Sequence, residues 1–209
     1  IHNLVLVPHM SLHLLPLNTM TLEMTGKDQL LLERFNVTTI PSLTIGLTLS
    51  SQPFNPGLRY VGVSNPTGDL YWSEQEISET SKVFKESMTQ ILKGSDASPE
   101  LVKTAVRDAD IIHFACHARF NVTEPYQSYL ALSAGATGKA SATSTRIIQH
   151  KVQTEPLYLV DIFSETFTNR PLVVLSCCDS GLSSASDMSD EFISFATAFI
   201  SGGARGVIS

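Results

Sequence analysis

The 209-residue chain is 43% hydrophobic and 16% charged, enough apolar matter for a buried core and too much for a disordered or low-complexity segment. Its 20 acidic against 14 basic residues give a net charge of −6 and a pI near 5.4, which leaves no basic stripe to neutralise phosphates and argues against nucleic acid as a partner. No apolar run reaches the roughly 18–20 residues needed to cross a bilayer, so no membrane partner is expected, and three cysteines, two of them adjacent, fit reduced thiols in the cytoplasm better than a secreted disulfide scaffold.

The elements follow in chain order. Leu4-Val-Leu-Val7, stopped by Pro8, reads as a buried strand. Residues 27–40 alternate Phe35, Val37 and Thr39 and read as a strand or hairpin closed by Pro41. Arg59-Tyr-Val-Gly-Val63 is the next strand, followed by the turn Ser64-Asn-Pro-Thr-Gly68. Ser73 with Glu76 reads as a capping box, and Ile77, Phe84 and Met88 then recur on one helical face. Ser98-Pro-Glu100 opens a second helix, with Leu101, Ala105 and Val106 as its apolar side.

Ile111-Ile-His-Phe-Ala-Cys116 is nearly all apolar and predicts a central strand buried on both faces. Tyr129-Leu-Ala-Leu132 is a further short strand. The stretch 133–156, rich in Ser, Ala, Thr and Gly, is expected to be a long flexible loop, with Lys139, Arg146 and Lys151 as processing or gating points. Leu172-Val-Val-Leu175 is another buried strand. Residues 189–201 carry Phe192, Phe195, Ala196 and Phe199 at helical spacing, closed by Gly202-Gly203, and Val207-Ile208 begins a last strand. Strands alternating with helices imply an α/β domain with a mostly parallel central sheet, where chemistry gathers at the carboxyl ends of the strands.

Two strand ends deliver reactive side chains. The strand at 111–116 runs into His117, and the strand at 172–175 runs into Ser176-Cys177-Cys178-Asp179-Ser180-Gly181. If the two strands are parallel neighbours, an imidazole and a thiol share one sheet edge. A thiol attacks carbonyls as the thiolate, and a nearby imidazole can take its proton. The competing readings are a buried structural thiol and a hydrogen-bonded core histidine. Zinc is disfavoured: His113 and His117 alternate with Cys116 along a strand, adjacent Cys177 and Cys178 diverge, and no C-x-x-C pair occurs. The chain lacks a G-x-S-x-G elbow, a Walker loop and a G-x-G-x-x-G turn.

Five words occur in order: His113-Phe-Ala-Cys-His117-Ala, Ser128-Tyr-Leu-Ala-Leu-Ser133, Leu159-Val-Asp-Ile162, Leu172-Val-Val-Leu-Ser-Cys-Cys-Asp-Ser-Gly181 and Ala198-Phe-Ile-Ser-Gly-Gly-Ala-Arg-Gly-Val-Ile208. Together with Val7-Pro-His-Met, Ile40-Pro-Ser42 and Ser64-Asn-Pro66 they resemble the CHAT domain, a caspase-like cysteine peptidase domain often fused to helical TPR repeats, across nearly the whole chain. The resemblance implies a three-layer caspase-haemoglobinase sandwich, here as a single domain over 1–209. It implies a cysteine endopeptidase with His117 as acid and base and Cys178, rather than Cys177, as nucleophile. Backbone amides of Ala118 and Cys178 would form the oxyanion hole, Ala118 standing where the family usually has Gly. Asp161 and Asp179 are candidates for the pocket that takes the residue before the scissile bond, with a helix cap or a surface carboxylate as the plainer reading of each. No metal or organic cofactor is implied.

The implied partners are a protein or peptide substrate and a linked or associated helical-repeat or sensor domain. That domain would keep a cytoplasmic prokaryotic enzyme latent, in antiviral defence or programmed death. The start at Ile1 and the stop at Ser209, before the segment with which family members continue, lead to the expectation of a piece of a longer polypeptide lacking a carboxyl-terminal strand and helix. The alternative function is a catalytically silent interaction module on the same fold.

Overall fold

The computed structural model describes residues 2–9, 12, 15–24, 27–51, 58–135, 147–149, 152–178, 183–185 and 192–209. The chain divides into two compact units, Ile1–Pro53 with Ser183–Ile193, and Phe54–Leu182 with Ser194–Ser209.

In the first unit, Asn3–Leu6 (β1) pairs in parallel with a later strand, and Thr21–Met24 (β2) pairs antiparallel with Lys27–Leu30 (β3). A single helical turn, Leu31–Arg34 (α1), leads into Asn36–Thr39 (β4), the partner of β1, and Leu43–Ser51 forms α2. The run after Asn3 was expected to be fully buried. Instead it alternates, with Val5 and Val7 exposed, because a two-stranded ribbon covers only one side of it. The strand or hairpin expected over 27–40 is broken by α1, and α2 is opened by Ser42, whose Oγ accepts from the Ile45 amide at 3.2 Å.

The second unit is built on a five-stranded parallel sheet. Tyr60–Ser64 (β5) leads through Tyr71–Ser81 (α3) to Thr89–Lys93 (β6), and Pro99–Val106 (α4) leads to Ile111–Ala115 (β7). Ala118–Arg119 (β8), Tyr129–Ser133 (β9), Ile147–Gln149 (β10) and Val152–Tyr158 (β11) form a second, antiparallel sheet in the order β10-β11-β9-β8. Leu159–Phe163 (α5) then precedes Leu172–Leu175 (β12). The chain then passes through the first unit, where Ser183–Ala185 (β13) pairs with Phe192–Ser194 (β14), and returns to the second with Phe195–Ser201 as α6 and Gly206–Ile208 as β15. The main sheet runs β15-β12-β7-β5-β6, every pair parallel.

Side-chain alternation sorts the helices into two layers. His113 faces α3 and bonds Glu76, while its neighbour Phe114 packs on Phe199 of α6 with ring centroids 5.7 Å apart. Lys103 of α4 reaches Asp161 of α5, so α4, α5 and α6 share the face opposite α3. The result is a helix–sheet–helix sandwich, as the sequence leads one to expect. Gly62 makes the α3 side possible, since a Cβ there would stand 2.8 Å from Ile77 Cγ2 and 3.1 Å from Tyr60 Cε1.

Several expected boundaries shift. Ser73 and Glu76 form no capping box. The helix starts at Tyr71, with the Leu70 amide bonded to Asn65 Oδ1 at 2.8 Å, and Glu76 points elsewhere. Phe84 and Met88 lie beyond the end of α3; Phe84 instead stacks on Tyr60, centroids 4.7 Å apart. On α4, Ser98 caps as expected, but Val102 rather than Leu101 is buried. Phe192 belongs to β14, and the last helix begins at Phe195. The supposed loop over 133–156 holds β10 and most of β11 at its far end; residues 136–146, Lys139 and Arg146 among them, and Lys151 lie outside the described residues.

Candidate active site

In the order β6-β5-β7-β12, consecutive connections leave β5 on one side to reach β6 and then cross back to β7. The sheet order therefore reverses between β5 and β7, and a crevice opens at the carboxyl ends of the strands there. The loop after β5, the residues after β7 and the residues after β12 all emerge at this edge.

The loop after β5 is fixed by Asn65, whose backbone has φ of +45°. Its amide donates to the Ala115 carbonyl at 3.2 Å, tying the loop to the end of β7. Its side chain accepts from Leu70 and donates to Glu74 Oε1 at 2.7 Å. Gly68, at φ +78°, completes the turn. This loop delivers Asp69.

His117 follows β7 by two residues and is about one-third exposed. Its Nε2 lies 3.1 and 3.2 Å from the two Asp69 carboxylate oxygens. Thr67 Oγ1 also donates to Asp69. Partial burial works to raise the Asp69 carboxyl, but the hydrogen bonds from Thr67 and His117 and the imidazole charge outweigh it and hold it below its ordinary range. A neutral imidazole whose Nε2–H is given to a carboxylate presents the Nδ1 lone pair to whatever approaches from the other side.

The residues after β12 alternate in and out. The Ser176 amide continues the ladder to the Phe114 carbonyl at 2.8 Å, and its hydroxyl donates to Glu76 Oε2 at 3.0 Å. Cys177 turns inward, its sulfur 3.7 Å from Cys116 Sγ and 3.6 Å from the Phe114 carbonyl. Cys178 is exposed. The inward thiol is thus Cys177 and the accessible one is Cys178. Among the described residues no hydrogen bond joins Cys178 to His117.

A second polar array lies beneath. His113, buried in β7, places Nδ1 3.1 Å from the Tyr60 hydroxyl and Nε2 3.0 Å from Glu76 Oε1. Burial pushes its imidazole below the ordinary range, against the pull of the Glu76 carboxylate. Burial and the same carboxylate push the Tyr60 hydroxyl up. Glu76 thus bridges β7 and the end of β12 from α3.

The other sequence candidates lie as follows. The His117 carbonyl accepts from Ala131 N at 2.8 Å, which makes the Ala118–Leu130 pair a non-hydrogen-bonded one, so the Ala118 amide takes no part in the β8–β9 ladder. Asp161 is not brought to this edge. Its Oδ2 accepts from the Tyr158 amide at the start of α5, and Oδ1 lies 3.6 Å from Lys103 Nζ, on the face opposite α3, which is the helix-cap reading. Asp179 lies outside the described residues. Among the described residues no three His, Cys, Asp or Glu side chains are grouped to hold a metal ion, and no helix is long and apolar enough to cross a membrane. Sequence reasoning missed Asp69 and Glu76. The only available signal for Asp69 was its position just past the turn that ends a buried strand.

Comparison with curated proteins gives no match. The family model for the CHAT domain matches residues 1–209. With a parallel sandwich of the caspase kind, and with His117 and Cys178 carried at the ends of neighbouring strands, the chain belongs to the CHAT domain family, a family of caspase-like peptidase domains.

Proposed function

We propose that this chain is a cysteine endopeptidase in which Cys178 is the nucleophile and His117 its base. The observation that carries this reading is the His117–Asp69 pair, 3.1 Å apart, on the strand next to the one that ends in an exposed thiol. Asp69 holds the imidazole with Nε2–H inward, so Nδ1 is the atom that accepts the thiol proton. The thiolate attacks the peptide carbonyl, the carbon becomes tetrahedral, and the charge on oxygen falls to backbone amides. Ala118, whose amide is not used in the ladder, is the first donor, and Cys178 supplies the second. The imidazolium then protonates the leaving amine, and water, deprotonated by the same imidazole, releases the acyl group.

The substrate is a peptide segment bound in extended form, since backbone pairing alone can hold it beside a strand end. The cytoplasm suits the three free thiols. Control by a linked helical-repeat or sensor domain, with a role in prokaryotic antiviral defence or programmed death, rests on analogy with the family. One observation favours a second reading, a silent interaction module: in the resting geometry Cys178 has no hydrogen bond to His117.

The deciding experiment measures cleavage of a peptide library together with iodoacetamide labelling of each cysteine against pH. A peptidase labels Cys178 fast below the reference thiol pKa of about 8.5. It loses that labelling in His117→Ala and loses cleavage in both His117→Ala and Cys178→Ala. Slow labelling of Cys178 that ignores His117, with no cleavage, leaves the interaction module.

A further inference from the structure

Cys116 and Cys177 close on each other where β7 and β12 end. Leu175 stands opposite Phe114 in the register of these strands, and the Ser176 amide extends the ladder. Two residues further on, Cys177 is therefore opposite Cys116. Neighbouring strands lie about 4.8 Å apart, within the Cα separation of roughly 4.4–6.8 Å that a disulfide spans. The sulfurs are already 3.7 Å apart.

We propose that Cys116 and Cys177 are a redox-modification site, joined into a reversible disulfide by hydroperoxides, and that this bond switches the turn that carries Cys178. Within the pair, Cys177 is half-buried and Cys116 is buried, so of these two the peroxide reaches Cys177 first. The Cys177 thiolate attacks one peroxide oxygen, the O–O bond breaks, and the departing oxygen takes a proton to leave as water or an alcohol. Cys177 is then a sulfenic acid. The Cys116 sulfur attacks the Cys177 sulfur, the S–O bond breaks, and water leaves with the Cys116 proton. Two thiols lose two electrons, and one hydroperoxide gains them.

The local chemistry favours this order. The hydrogen bond between the sulfurs pulls the Cys177 thiol down, against burial and Glu76, and pushes Cys116 well up, so Cys177 is the more readily ionised of the two. Cys178 is exposed on the other side of the turn, and neighbouring cysteines in a chain close only a strained ring. Shortening the sulfur separation to about 2.05 Å turns the Cys177 side chain onto β7 and pins the turn that carries Cys178.

The test treats the whole chain and its Cys178→Ala variant with hydrogen peroxide, blocks free thiols, and maps peptides without reduction. The expected product in both is a peptide bearing Cys116 joined to one bearing Cys177, lighter by two hydrogens than the separate thiols and restored by dithiothreitol. In the wild type, iodoacetamide labelling of Cys178 slows severalfold on oxidation and recovers on reduction. Mass mapping reads the bond whether or not the chain cleaves peptides. Oxygen addition confined to Cys178, a Cys177–Cys178 link, or a Cys116 that still alkylates in the variant overturns the site. A linkage that leaves Cys178 labelling unchanged overturns the switch.

Discussion

Asp69 lies against His117 Nε2, and that makes it the residue whose loss tests the proposed base. In Asp69→Asn the amide can still bond Nε2 but no longer stabilises an imidazolium. Cleavage should fall by about 10²–10⁴-fold in kcat/KM, with binding little changed, read from peptide hydrolysis by a correctly folded variant. The same pair has a pH signature. The Asp69 carboxyl is held below its ordinary value, so its contribution to stability is fully present above the unfolded carboxyl pKa of about 3.9. That contribution disappears as pH falls through the lowered folded value. Urea midpoints of wild type and Asp69→Asn should therefore converge on acidification; a constant gap would refute the pair. That His117 and Cys178 follow the ends of neighbouring parallel strands was legible in the sequence, because each comes after an apolar run. Asp69 was not, because its partner is 48 residues away and only the order β5-β7 brings them together. Glu76 was legible as the wrong thing: Ser-x-x-Glu fits a capping box, whereas the buried imidazole of His113 and the Ser176 hydroxyl claim its carboxylate.

At the scale of elements, the contact between α3 and β5 depends on a missing side chain. Gly62→Ala introduces a Cβ within 2.8 Å of Ile77, and neither a helix nor a central strand yields easily. The cost is about 1–3 kcal/mol, read as a lower urea midpoint at unchanged m-value. Activity should suffer beyond the stability loss, because α3 carries Glu76 and follows directly on Asp69. A variant as stable as wild type would show that α3 has room to move. The strands at 111–115 and 172–175 were legible because each is a short, nearly unbroken apolar run, although Leu172 and Val174 on one face of β12 are only half-buried. β6 was not, because Phe84 and Met88 keep helical spacing past the true end of α3 at Ser81. β11 was hidden by Glu155 and Pro156, residues that an antiparallel strand tolerates but that rarely announce one.

For the molecule as a whole, alternating strands and helices made the α/β class legible, while the division into two units left no mark in composition. The two units should differ in local stability. Backbone amides of β5, β7 and β12, each paired on both sides, should exchange most slowly with deuterium. Those of the two-stranded β1–β4 pairing should exchange fastest among the strands. Equal protection across both would mean that they open together. The long reach of the site also governs when it can exist. Glu76 and Ser176 are 100 positions apart, and Asp69 and His117 are 48 apart; contacts so distant in sequence assemble late in folding. A chain leaving the ribosome amino terminus first exposes its histidine well before its thiol has been synthesised. The strand ends that carry them come together only once β12 docks beside β7. On the proposed reading the order of residues acts as a timer: no partly made chain would hold the pair, and neighbouring nascent polypeptides would be spared.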